Sequence, residues 1–262
     1  MNYNKIISLA LALVVIVITL FTGCGSSSSS ADSYPAKGAG RLEKAYVQTE
    51  EQTPEPLPKN GVTVCVDPGH GFDDPGTFSD LLGDLCEKDI TLAVAEKLKY
   101  HLELLGYTVV MTHDGESFPR TSVYDNNNKY KPEERVAYAN SLGSTIDYYI
   151  SIHCNSFETD EASGTRIYYY EGPQKLSGYD IDITQAVADQ IGVAFPDDNT
   201  PTVEKYHYYV ITYTKVPASL VEIGFVTNPD DAADMIDPGW QEKYAKALAD
   251  GIDNYYKENP LQ

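Results

Sequence analysis

From residue 61 onward the sequence predicts an α/β fold, a largely parallel twisted sheet with helices on both faces in a single domain. Three observations carry this expectation. β-branched apolar runs of strand length alternate with segments whose apolar residues follow helical spacing. The strand runs are apolar enough to be buried, as parallel strands covered by helices are. No repeat of fixed period and no second shift in composition divides the segment.

Val62-Thr-Val-Cys-Val66 reads as the first buried strand, and Asp67-Pro-Gly69 breaks it, leaving His70 at its C-terminal end. In open α/β sheets that edge is where ligands bind. Glu87 opens a helix in which Ile90, Val94, Leu98, Leu102 and Leu105 share a face, and Gly106 ends it. Tyr107 to Thr112 is a second strand. A polar loop, Gly115 to Lys131, leads to a short helix from Pro132 through Arg135 and Ala139, closed by Gly143. Tyr148 to His153 is a third buried strand, again ending in a histidine. Thr165 to Tyr170 reads as a strand, Ile181 to Ile191 as a helix and Tyr208 to Ile211 as a short strand. Ala218 to Gly224 is a further strand, apolar except around Glu222. A final helix carries Trp240, Tyr244, Leu248, Ile252 and Tyr255 along a core-facing stripe.

The chain before residue 61 is of a different kind. Lys5 precedes an apolar run, Ile6 to Leu20, of signal-peptide length, which ends at Leu20-Phe-Thr-Gly-Cys24. Residues 1–23 are therefore expected to be a signal peptide of the lipoprotein type, cut before Cys24, whose thiol is lipidated. Residues 24–60, with serines 26–30 followed by Pro35, Pro54, Pro56 and Pro58, form a tether with a coil reach of roughly 30–35 Å. The folded part is expected outside the cytoplasm, on the outer face of a bacterial membrane and held there by the lipid alone. With 19 basic and 39 acidic residues, the net charge of −20 excludes nucleic acid as an electrostatic partner. Three cysteines remain beyond Cys24, an odd number and so no disulfide framework. Cys86 and Cys154 are either a pair or, like Cys65, small buried apolar residues.

The polar residues at strand and helix ends form one constellation. His70, Glu87 and His153 fall where elements end at the ligand-binding edge, and two imidazoles with one carboxylate suit a single zinc ion that keeps a position for water. Glu222 lies among apolar neighbours. A buried carboxylate needs a cation, a hydrogen-bond network or a raised pKa, and a general base beside metal-bound water would show the same. A structural ion pair with Arg135 or Arg166 is the competing reading. His101, His113 and His207 read as solvent-facing. The 21 tyrosines are candidates for stacking on sugar rings, although packing along strand edges accounts for most of them.

Five blocks resemble the zinc-dependent N-acetylmuramoyl-L-alanine amidases of the amidase 3 type. They are Val66-Asp-Pro-Gly-His-Gly71 with Asp74-Pro-Gly76, Glu87-Lys-Asp-Ile-Thr-Leu92, Glu134-Arg-Val-Ala-Tyr-Ala-Asn140, Ile150-Ser-Ile-His-Cys-Asn155 and Leu220-Val-Glu-Ile-Gly-Phe-Val-Thr-Asn228, in the family's order. The resemblance implies a catalytic domain over 61–258, zinc on His70, Glu87 and His153, and Glu222 as the catalytic glutamate. It implies hydrolysis of the amide between N-acetylmuramic acid and L-alanine in peptidoglycan. Asp67 and Asn155 are expected to orient the histidines, and the enzyme is expected to be a monomer. Three positions depart from the pattern: Phe72 where a second glycine is usual, Cys154 where alanine is common, and Ile211-Thr212 where leucine and a basic residue are frequent. Two other functions stay open, a catalytically idle amidase-like binder of peptidoglycan and a zinc peptidase acting on stem peptides.

Overall fold

The computed structural model describes residues 54–119, 130–172, 180–196 and 201–261. The signal sequence, Cys24, most of the tether and residues 120–129 of the loop after Gly115 lie outside them. One compact unit covers Gln52–Gln262.

Six strands form one sheet: β1 (Thr63–Pro68), β2 (Thr108–Met111), β3 (Tyr148–Asn155), β4 (Arg166–Tyr169), β5 (Thr202–Lys205) and β6 (Ala218–Phe225). Their spatial order is β2-β1-β3-β6-β4-β5, and every neighbouring pair is parallel except β4 against β6. Among the described residues the α-helices are α1 (Glu87–Leu104), α2 (Pro132–Leu142), α3 (Asp180–Ala194), α4 (Tyr209–Tyr213), α5 (Pro229–Ile236) and α6 (Pro238–Glu258). This is the expected single α/β domain.

The helices lie on both faces because alternate residues of each buried strand are apolar on both sides. Val64, Val66, Ile150, Ile152, Val221 and Ile223 enter the larger core, with Val94 and Leu98 of α1, Ile183 and Val187 of α3 and Leu248 and Ile252 of α6. Cys65, Tyr149 and Leu220 point the other way, to a smaller core with Val136 of α2 and Val210 and Ile211 of α4. The smaller face carries the polar residues at the C-terminal edge of the sheet.

Two elements differ from expectation. Tyr208 to Ile211 is not a strand: Tyr208 caps a one-turn helix in which Val210, Ile211 and Thr212 are buried. The β-forming side chains suggested a strand, but burial against α2 decides the conformation, and Thr214 Oγ1 closes the turn onto the Val210 carbonyl. The strand of this region is β5, immediately upstream, paired parallel to β4. Helix α5 was not anticipated. It begins on an Asn228 cap that accepts bonds from the Asp230 and Asp231 amides, with Pro229 in the first turn.

Candidate active site

The site starts from a strained turn. After β1 the chain passes through His70 at φ 66° and Phe72 at φ 58°, left-handed values that only a well-supported backbone holds in non-glycine residues. Support comes from paired backbone bonds between Gly71 and Asp74 and from the His113 ring, packed under Gly71. His113 Nε2 donates to the Pro68 carbonyl at 3.1 Å while its Nδ1 accepts from the Gly115 amide at 3.2 Å. His113 is thus buried beneath the turn rather than solvent-facing, and burial lowers its pKa.

His70, Glu87 and His153 come together. Each offers one ligand atom, all within 4.8 Å of one another. His70 Nδ1 lies 3.0 Å from Asp74 Oδ2, and its Nε2 lies 3.2 Å from Glu87 Oε1. His153 Nδ1 approaches the same Glu87 oxygen at 3.1 Å, and the two imidazole centroids are 5.0 Å apart. Glu87 stands in the first turn of α1, behind a Cys86 cap and Asp89, and its oxygens also accept from the Thr77 and Cys154 amides. Burial raises the Glu87 pKa, but bonding from His153 and His70 outweighs it and holds the carboxyl far below the usual range. Burial lowers His70, yet Glu87 and then Asp74 reverse the direction; for His153 burial prevails and the pKa falls.

The close packing needs glycine. A Cβ on Gly69 would lie 2.5 Å from His153 Cε1, and one on Gly76 would lie 2.7 Å from Glu87 Oε2 and 2.8 Å from His70 Cδ2.

Glu222 completes the group from the neighbouring strand. It is the register partner of His153, so both side chains leave the same face. It is buried, and its Oε2 has no hydrogen-bond partner. Burial, then the charge of Glu87, push its pKa up to about 8, with His70 acting the other way. Neither arginine considered as its partner takes that role. Arg135 bonds Asp67 at 2.7 Å, and Arg166, although opposite Glu222 in register, bonds the Thr165 carbonyl and lies over the Phe225 ring.

Three possible metal ligands and a buried carboxylate at the C-terminal edge of a largely parallel sheet form a hydrolytic centre in outline. The model of the N-acetylmuramoyl-L-alanine amidase family matches residues 64–254. The chain belongs to this family. Its activity is that of a peptidoglycan amidase. The amidase is 34% identical over 210 residues to the uncharacterized protein YqiI of Bacillus subtilis, covering 79% of this chain and 90% of that one. It is 29% identical over 211 residues to the germination-specific N-acetylmuramoyl-L-alanine amidase of the same organism, covering 78% and 84%. The solved amidase AmiC2 of Nostoc punctiforme superposes with a TM-score of 0.64 at 26% identity, over 76% of this chain and 99% of that one.

Asp67 and Asn155, expected to orient the histidines, bond elsewhere in the amidase. The Asp67 carboxylate accepts from Thr112 at 2.6 Å, Ser151 at 2.6 Å and Arg135 at 2.7 Å, a buried knot below the turn. Asn155 Oδ1 accepts from the Ser156 amide, and its carbonyl accepts from Val226 at the end of β6. The carboxylate that holds the Nδ1 side of His70 is Asp74, whose signal was its place in Asp74-Pro-Gly76. Phe72, where glycine is usual, occupies a left-handed position and packs its ring on His113 at 5.4 Å and Phe118 at 4.5 Å. Cys65, Cys86 and Cys154 are all free and buried. Of the other histidines, His101 bonds Glu242 at 2.8 Å and His207 is exposed.

Proposed function

We propose that this amidase cleaves the bond between the lactyl group of N-acetylmuramic acid and the L-alanine of the stem peptide, with one zinc ion on His70, Glu87 and His153 and with Glu222 as the general base. The observation that carries this reading is the unpartnered Glu222 oxygen, buried and in register with His153, beside three donors within 4.8 Å of one another. The residues fit the metal. Two imidazole nitrogens converge on one carboxylate oxygen, and a Glu222 pushed up to about 8 would be mostly protonated near neutral pH unless a cation stood beside it.

Zinc, when bound, polarises the scissile carbonyl and lowers the pKa of water. The protein's own residues do the rest. Asp74 accepts from His70 Nδ1, which leaves Nε2 free to face the ion. Thr77 and Cys154 amides hold the Glu87 carboxylate in place. Glu222 takes a proton from the attacking water and hands it to the departing amine of alanine, and its burial keeps bulk water from competing.

The organisation around this centre belongs to the same proposal: a signal peptide over 1–23, lipidation at Cys24, a tether to residue 60 and a monomeric catalytic domain over 61–258. The leader pattern supports it, and so does a polymer substrate that lies outside the cytoplasm. Among the described residues no helix is long and apolar enough to cross a membrane. Incubating the purified protein with peptidoglycan tests the reaction. New amino-terminal alanine together with peptide-free glycan is the expected product; other amino termini would indicate a peptidase, and no release an idle binder.

A further inference from the structure

Tyrosines gather on one flank of Glu222. Tyr168 on β4 is the register partner of Leu220 on β6, so it stands on the Glu222 face of the sheet, one diagonal step of roughly 7–8 Å away. Its ring centroid lies 5.1 Å from that of Tyr208 and 5.8 Å from that of Tyr206, and these two are 4.6 Å apart. Tyr168 is buried, Tyr208 half-buried and Tyr206 54% exposed, so the three rings climb from the sheet beside Glu222 out to solvent. Two further ring pairs stand in the same elements: Tyr170 meets His207 at 5.4 Å, and Tyr209 meets Tyr213 at 4.6 Å. Core packing accounts for Tyr168. It does not account for an exposed Tyr206 held in place by two other rings.

We infer that Tyr206, backed by Tyr208 and Tyr168, forms a glycan subsite of the amidase, its exposed ring stacking on the apolar face of a pyranose ring from the substrate strand. The inference rests on the proposed function, since the bond cleaved there joins a sugar to a peptide. Two features favour the sugar over the peptide as the occupant. Rings tipped with hydroxyls match a pyranose, which has an apolar C–H face and a polar rim. The chain's net charge of −20 also disfavours the free carboxylates of a stem peptide at this surface. Burial, then the charges of Glu204 and Glu222, raise the Tyr168 hydroxyl, and burial, then Glu222, raises that of Tyr208.

The test titrates the full chain with peptide-free glycan strands. These carry N-acetyl groups but neither the lactyl–alanine amide nor any peptide bond, so the result does not depend on which of those bonds the enzyme hydrolyses. Tyr206→Ala is expected to weaken binding roughly three- to tenfold, the usual worth of one aromatic contact, and Tyr206→Phe, which keeps the ring and loses the hydroxyl at the sugar's rim, to fall between Ala and the wild type. On whole peptidoglycan Tyr206→Ala should raise KM and leave kcat unchanged. Glycan binding that is absent in the wild type or unaltered by Tyr206→Ala overturns the inference, and so does a loss that appears on glycan-free stem peptide instead. Failure of the proposed function would show separately, as no release of amino-terminal alanine by the wild type.

Discussion

His153 and Glu222 are register partners on the adjacent parallel strands β3 and β6, and their side chains leave the same face of the sheet. Ladder hydrogen bonds between two central strands hold the backbones about 4.8 Å apart, so the spacing of these side chains is a property of the sheet rather than of a loop. The other two members reach the same place differently, His70 from a strained turn and Glu87 from a helix start. Side chains from a rigid pair, a turn and a helix cap can be perturbed separately.

Asp74 is 34% exposed and reaches His70 Nδ1 at 3.0 Å. Asp74→Ala is expected to lower zinc affinity roughly 10–100-fold while the metal-free protein keeps its melting temperature. Competition titration against a chelating dye measures the first and calorimetry the second. Unchanged affinity would remove Asp74 from the site.

Gly69 leaves no room for a side chain beside His153. Gly69→Ala should push the imidazole aside and cost about 100-fold in turnover, because a displacement near 1 Å at a reacting centre has that effect. The fold should survive, as judged by circular dichroism. Full activity in this variant would show that the ring has freedom the packing does not suggest.

Asp67 and Arg135 set an acid limit on stability. Burial opposes ionisation of Asp67, but the Arg135 guanidinium and the hydroxyls of Ser151 and Thr112 outweigh it and hold the carboxyl below its ordinary range. A depressed folded-state pKa contributes stability above the unfolded value, about 3.9, and that stability is lost as pH falls through the folded value. Urea unfolding of the wild type should therefore show falling stability below about pH 4. Asp67→Asn should flatten that slope and, by leaving Arg135 without its counter-charge, cost about 3–5 kcal/mol at neutral pH. An unchanged slope in the variant would mean that other carboxylates set the limit.

Much of this was legible in the sequence. The strands of the sheet centre announced themselves as unbroken apolar runs, with His70 and His153 at their ends and Glu222 alone within one, and Glu87 stood at a helix start. What escaped has physical reasons. Tyr208 to Ile211 has β-forming side chains that tertiary packing folds into a helical turn, and β5, Thr-Val-Glu-Lys, is too short and polar to signal itself. His113 follows a strand in a polar context, and only the turn packed above it makes it buried. Asp67 sits close to His70 in sequence and on the sheet face of His153, but its side chain is taken by Arg135, Ser151 and Thr112, partners that only the folded packing brings to it.

The most direct test of the central claim is a zinc titration of the Glu222→Gln variant, with amino-terminal alanine release followed in the same samples. One zinc bound per chain at wild-type affinity, with no alanine released from peptidoglycan, is the result predicted for a base that is not a ligand. Loss of zinc, or alanine release at the wild-type rate, would contradict the assignment.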